Sequence, residues 1–270
     1  TSPADWVHLV RAEQKAVHSG LVARGDELLL TGGYDHVCSI ISSRHGLLCA
    51  GPPALPVMFL HCSGRLGTAT VVCGGANPRN SREFLERIHV LRDGDCAGWK
   101  SAGAKLNLGR TSAGAAPLRA ADANCTQLLL AGGWCVDEPL DRTLAFDAAA
   151  DRCIELEARL PAAMACRAAS IAGGSAVLAL QWNYYQPNCC TMFDPRASSW
   201  MSVAPLPVPR LSLATAAVSD HSVVMLGGRD VGWRPTNNVY LYDVRADGWS
   251  ERDEWRLPGS AATHCAVKLD

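Results

Sequence analysis

The hydrophobic and polar positions of this chain fall into a unit that recurs. In "LATAAVSD" (213–220) the apolar residues are small, as a crowded inner strand requires. "HSVVMLGG" (221–228) is β-branched and apolar and ends on two glycines. "NNVYLYDV" (237–244) alternates with period two, as a half-buried strand does, and "GWSERDEW" (248–255) is polar and alternating, fit for an outer edge. Gly, Pro, Asn and Asp punctuate the joins. The pattern predicts four short strands in one sheet.

The glycine doublet recurs in "LTGGYD" (Gly32, Gly33), "VCGGAN" (Gly74, Gly75), "LAGGWC" (Gly132, Gly133) and "MLGGRD" (Gly227, Gly228). Successive first glycines lie 42, 58 and 95 residues apart, so the last gap leaves room for a degenerate copy. "AVLALQWNYY" supplies it, with Leu180 and Gln181 in the glycine places and Trp182 matching Trp134; the steps become 48 and 47. A second mark is an aromatic–Asp pair seven residues before a tryptophan position: "YLYDVRADGW", "TMFDPRASSW" and "LAFDAAADRC", the last with Cys153 in place of Trp. "HVLRDGDCAGW" reaches Trp99 with one extra residue. The third mark is Leu-Pro: Leu55-Pro56, Leu160-Pro161, Leu206-Pro207 and Leu257-Pro258.

A four-stranded sheet repeated with a period in the forties cannot bury its faces alone; stacking such sheets around an axis solves that problem. The tryptophan then serves as an apolar wedge between neighbouring sheets. Paired glycines, aromatic–Asp, Trp and then Leu-Pro, often followed by Arg, resemble the kelch repeat over residues 16–270. The first repeat departs from it, with "IISSRHGLL" where the aromatic–Asp and Trp belong, and the fourth lacks the glycines. The resemblance implies an all-β, kelch-type β-propeller occupying residues 1–270 as one domain, with repeats at about 16–56, 57–107, 108–163, 164–208 and 209–258. Six four-stranded antiparallel blades are expected. The sixth would be built from the termini, 1–15 ("DWVHLV") and 259–270 ("GSAATHCAVKLD"), which close the ring.

Composition narrows this little. Twenty-five basic and 26 acidic side chains give no general nucleic-acid or membrane surface. No apolar run reaches 18 residues, which argues against a transmembrane helix. The opening "TSPADW" lacks an initiating Met and a signal-peptide pattern, so a fragment of a longer chain is expected. Twelve cysteines are dispersed without a CxxC motif; buried free thiols and a cytoplasmic or nuclear setting are expected, with the sequon Asn124-Cys125-Thr126 the one hint of secretion.

No catalytic constellation emerges. Eight scattered histidines lack metal-ligand spacing, no P-loop or nucleophile elbow is present, and no cofactor or metal is implied. The expectation is a non-catalytic interaction module. The alternatives are a propeller enzyme, an oxidase or a glycan-processing one, and an actin-binding or scaffolding kelch protein. Two loop sets are expected to meet on one face: residues following the doublets (Tyr34, Trp134, Trp182, Arg229) and residues preceding the inner strands (Arg110 with Ser112, Arg167, Arg210 with Ser212, Ser260). Loop residues Tyr184, Tyr185 and Trp233 extend them. In kelch ligand receptors such loops resemble the rim of a substrate pocket. Arginine and aromatic side chains there would suit an acidic peptide or a free C-terminal carboxylate. Pairing of the arginines between blades is the alternative, and it stays open here. The likeness to substrate-recognition domains of BTB-kelch ubiquitin-ligase adaptors further implies a cullin partner, engaged through regions outside this chain.

Overall fold

The computed structural model describes residues 20–24, 27–32, 38–42, 48–50, 58–95, 98–119, 126–136, 138–171, 176–182 and 188–262. Five four-stranded antiparallel sheets account for most of them. Blade 1 comprises Gly20–Arg24, Glu27–Thr31, Ser39–Ser42 and Leu48–Ala50, and blade 2 Cys62–Leu66, Ala69–Cys73, Arg87–Arg92 and Lys100–Lys105. Blade 3 comprises Gly114–Arg119, Thr126–Ala131, Arg142–Asp147 and Arg152–Arg159. Blade 4 comprises Ala165–Ile171, Ala176–Trp182, Cys190–Asp194 and Ser199–Val203, and blade 5 Ala214–Ser219, Ser222–Leu226, Val239–Asp243 and Gly248–Glu251. In each blade the strands pair in order of sequence, from inner to outer. The inner strand of every blade touches that of the next, from blade 1 through to blade 5, which sets the sheets side by side about one axis. The fold is an all-β, kelch-type propeller, with no α-helix among the described residues. Of the termini assigned above to ring closure, 1–15 and 259–270, residues 1–15 and 263–270 lie outside the described residues.

Each sequence mark has a physical task. The doublet glycines adopt left-handed φ, +68° and +94° at Gly74 and Gly75 and +60° and +105° at Gly132 and Gly133, which side chains resist. They also admit a neighbouring backbone: a Cβ on Gly133 would stand 2.8 Å from the Thr111 carbonyl oxygen. Where the fourth repeat has Leu180 and Gln181, the chain stays extended and the second strand runs on to Trp182. The second glycine of three doublets then ties its blade to the following one. Gly75 N–H donates to the Arg110 carbonyl, Gly133 to that of Met164 and Gly228 to that of Ala261, each at 2.8 Å.

The aromatic–Asp pair splits its duties. Phe146, Phe193 and Tyr242 are buried. The adjacent carboxylates cap the turn into the outer strand: Asp147 accepts from Ala149 and Ala150, Asp194 from Arg196 and Ala197, and Asp243 from Arg245 and Ala246. Trp200 lies against Phe193 with ring centres 5.2 Å apart and donates its indole N–H to Thr143 Oγ1 of blade 3 at 2.8 Å. Trp249 repeats this one seam later, 5.0 Å from Tyr242 and donating to the Ala204 carbonyl of blade 4 at 2.9 Å. Trp200 and Trp249 are wedges between blades, each bonded to the preceding sheet. The largest core cluster likewise spans blades 2 and 3, joining Val71, Cys73 and Ile88 to Leu128, Leu144 and Phe146.

Candidate functional site

The residue after a doublet and the segment before an inner strand are joined by backbone. Ala76 exchanges hydrogen bonds with Phe59 (2.9 and 3.2 Å), Trp134 with Thr111 (2.8 and 2.9 Å) and Arg229 with Leu211 (2.7 and 2.9 Å). In blade 4 the register pairs Trp182 with Ala165 in the same way. Trp134, Trp182 and Arg229 thus occupy equivalent places. Beyond them the chain forms short hairpins: Ala76–Asn77 with Asn80–Phe84, and Trp134–Cys135 with Glu138–Pro139. In blade 5 a bridge between Arg229 and Pro235 closes the corresponding loop.

These pairings fix which residues are equivalent before the inner strands. Phe59, Thr111, Ala165 and Leu211 form one column, so the residues just ahead of them, Met58, Arg110, Met164 and Arg210, form another, continued by the latch acceptor Ala261. Arg167 was expected beside Arg110 and Arg210, and Ser260 in the same set. The pairings instead put Met164 and Ala261 in that column. Arg167 lies three residues further on, within the inner strand opposite Leu180, and Ser260 is exposed one residue before Ala261. The reason is the connector: the column falls four residues after the leucine of Leu106, Leu160, Leu206 and Leu257, a fixed distance that matching arginine to arginine overlooks.

Arg110 is fully enclosed. It donates to the Gly132 carbonyl at 3.1 Å, the Leu108 carbonyl at 3.4 Å and Asn107 Oδ1 at 3.1 Å. Asn107 in turn donates to Glu155, which also receives Arg142 at 3.1 Å and Arg159 at 2.7 Å. Burial lowers the guanidinium pKa from its ordinary value, and neighbouring Cys and Glu155 groups oppose that shift. Arg210 is 8% exposed and donates to Pro209 O at 3.0 Å and Asn238 Oδ1 at 3.4 Å. Both guanidiniums are turned into the fold and hold backbone carbonyls, so neither head group stands on the open face.

What does stand there is largely apolar. Ser112 and Ser212 are half-buried with left-handed φ of +52° and +50°, as Leu60 is at +56°, and Ser112 N–H donates to the Leu60 carbonyl across the seam at 2.9 Å. Trp134 is half-buried at its hairpin base. The blade 5 loop carries Val231 and Trp233, 73% and 53% exposed, and Val136 at the turn of the blade 3 hairpin is 59% exposed. Of the four large exposed hydrophobic side chains among the described residues, only Met201 lies elsewhere, on an outer strand. The blade 5 loop is rigid: Asp230 Oδ1 accepts from Gly232 and Arg234 N–H, both at 2.9 Å, and the Arg229 guanidinium donates to the Trp233 carbonyl at 2.8 Å. Val136, Val231 and Asp230 escaped the sequence reading; the signal that could have found them is an apolar residue at a polar hairpin tip. Tyr34, Tyr184 and Tyr185 lie outside the described residues, and the side chains of Arg167 and Trp182 are likewise not described. Among the described residues no group of His, Cys, Asp and Glu is placed to hold a metal. Of the described cysteines, Cys62, Cys73, Cys135 and Cys190 are buried, and burial pushes the Cys190 thiol up to about 12.

Latched sheets, capped turns and tryptophan wedges together define a kelch-type β-propeller whose doublet face is lined by hairpins. No protein-family model matches the chain. A segment of 82 residues is 35% identical to Kelch-like protein 4 of Homo sapiens; it makes up 30% of this chain and spans 11% of that protein.

Proposed function

We propose that this chain is a non-catalytic interaction domain that binds a partner protein or peptide on the hairpin face. The observation that carries the reading is the concentration of exposed Val136, Val231 and Trp233 on that face, with the Trp233 backbone fixed by hydrogen bonds within its own loop. A preorganised aromatic loses little freedom on binding and makes a strong interface anchor. Arg234 beside it is exposed, and Arg229 is half-exposed, so a peptide bearing carboxylates suits the loop. The likeness to Kelch-like protein 4 supports an interaction role, and substrate recognition for a cullin-type ubiquitin ligase in the cytoplasm extends it. Selection from a displayed peptide library tests the reading: wild-type protein should enrich acidic sequences, and Trp233→Ala with Arg234→Glu should lose at least tenfold in affinity by calorimetry, about 1.4 kcal/mol. Equal binding by wild type and variant would overturn it. Reversal of Arg110 or Arg210 is unsuitable, because it would bury a carboxylate against carbonyl oxygens.

A further inference from the structure

Two seams between blades close at their outer rim through a carboxylate, and a third offers a serine in the same place. Asp151 of blade 3 accepts the Gly103 and Ala104 N–H groups of blade 2, at 2.8 and 3.2 Å. Asp247 of blade 5 accepts the Ala204 N–H of blade 4 at 2.8 Å and the Tyr242 hydroxyl at 2.7 Å. Each acid sits four residues beyond the turn-capping Asp, with left-handed φ of +46° and +43°. Ser198 stands four residues beyond Asp194 with φ +47°, exposed, and no hydrogen bond joins it to blade 3 among the described residues.

The donor side of this seam is prepared as that of blade 2 is. The outer strand of blade 2 loses register between Ser101 and Lys105, which frees the N–H groups that Asp151 takes. The outer strand of blade 3 loses register in the corresponding stretch: Arg142 pairs with Arg159 and Thr143 with Leu156, so Glu157 and Ala158 have no opposite residue. Ala158 precedes Leu160 by two residues, as Ala104 precedes Leu106 and Ala204 precedes Leu206. Packing supports the equivalence, since Ala158 clusters with Phe193 and Trp200 just as Ala204 does with Tyr242 and Trp249. The outer strands of blades 3 and 4 touch, so the bulge adjoins the Ser198 turn.

We propose that Ser198 is a phosphorylation site whose phosphate takes the position held elsewhere by Asp151 and Asp247 and closes the seam between blades 3 and 4. A phosphoserine supplies the anionic acceptor that a hydroxyl lacks. Arg196, exposed two residues earlier, offers a basic-directed protein kinase a cationic determinant. In the transfer, Ser198 Oγ bonds to the γ-phosphorus of a nucleoside triphosphate, the bond from that phosphorus to the β,γ-bridging oxygen breaks, the nucleoside diphosphate leaves and the hydroxyl proton passes to the kinase base. Glu157 and Arg159 flank Ala158, one repelling and one attracting the new charge.

Two experiments on the full chain decide it. Phosphoserine installed at position 198 during translation should slow hydrogen exchange of the Ala158 amide about tenfold. As the reference, Asp247→Ala should speed exchange at Ala204. An Ala158 amide unchanged by the phosphate, or an Ala204 amide indifferent to Asp247→Ala, overturns the seam role. Incubation of the folded protein with ATP and a basic-directed serine kinase should place phosphate on Ser198, lost in Ser198→Ala and retained in Ser199→Ala. Label confined to Ser199 or to other residues overturns the site.

Discussion

Arg110 and Arg210 occupy one column of the repeat and reach similar networks by different routes. Arg110 bonds Asn107, which precedes it on the same connector, and Asn107 leads to Glu155, Arg142 and Arg159. Arg210 bonds Asn238, the residue just before the third strand of its own blade, and Asn238 leads to Glu251 at 2.6 Å and from there to Arg256 at 3.2 Å. In both, an asparagine relays between a sequestered guanidinium and an outer-strand glutamate. Yet the Arg110 head group is bonded on three sides, while Arg210 Nε is buried without a partner among the described residues. Met58 and Met164 stand in the same column, both fully buried. Ahead of the inner strands of blades 2 to 5 the place thus holds a long side chain with an apolar stem, and charge is tolerated where an asparagine can answer it.

The largest effect should follow from truncating the better-bonded arginine. Arg110→Ala removes the stem and leaves the Gly132 carbonyl without its donor, and should cost about 3 kcal/mol in a urea titration. Arg210→Ala should cost about half as much by the same titration, and Arg110→Met, which imitates blades 2 and 4, about 1 kcal/mol. Equal losses for all three would erase the distinction between the two networks. Gly133→Ala should cost about 2 kcal/mol, because its φ of +105° and the Thr111 oxygen 2.8 Å from the added Cβ both oppose it.

Acidity sharpens the comparison more gently. The Ala204 N–H and the Tyr242 hydroxyl hold the Asp247 carboxyl below the usual carboxylate range. Its folded pKa is depressed, so its contribution is present above about pH 4 and lost as pH falls through the folded value; Asp247→Asn should flatten the thermal melt's dependence there. Burial, then Arg87, lowers the His89 pKa, and its neutral ring contributes stability above about pH 6.5 that is lost on acidification. His89→Gln should remove that slope below about pH 6.5. Smallest of all, Trp233→Ala should leave the unfolding free energy in a urea titration within about 0.5 kcal/mol of wild type, since the residue is 53% exposed.

The repeat frame was legible because its marks are backbone requirements. Left-handed glycines, Asp-capped turns and wedge tryptophans have few substitutes, so Gly132, Asp243 and Trp249 announce themselves. The face was half legible for the same reason: Trp134, Trp182 and Arg229 sit next to the doublet positions and inherit their register. Arg110 and Arg210 misled because a side chain's direction is settled by packing, which composition does not record, and Arg167 because the connector places it within the inner strand. Buried Arg110 and exposed Arg234 look alike as letters. Asp151 and Asp247 share an Asp-x3-Asp spacing with the capping acids, but the value of Asp151 lies in a bulge on blade 2, and a strand's bulges are set by its partner's register.

The forward latches from Gly75, Gly133 and Gly228 mean that each of these three junctions is written half in one repeat and half in the segment that follows it. A whole module copied or excised at those borders would bring complementary halves together again. The architecture can therefore gain or shed a petal without redesigning the joints, and variation in ring size becomes a matter of gene arithmetic rather than of new chemistry.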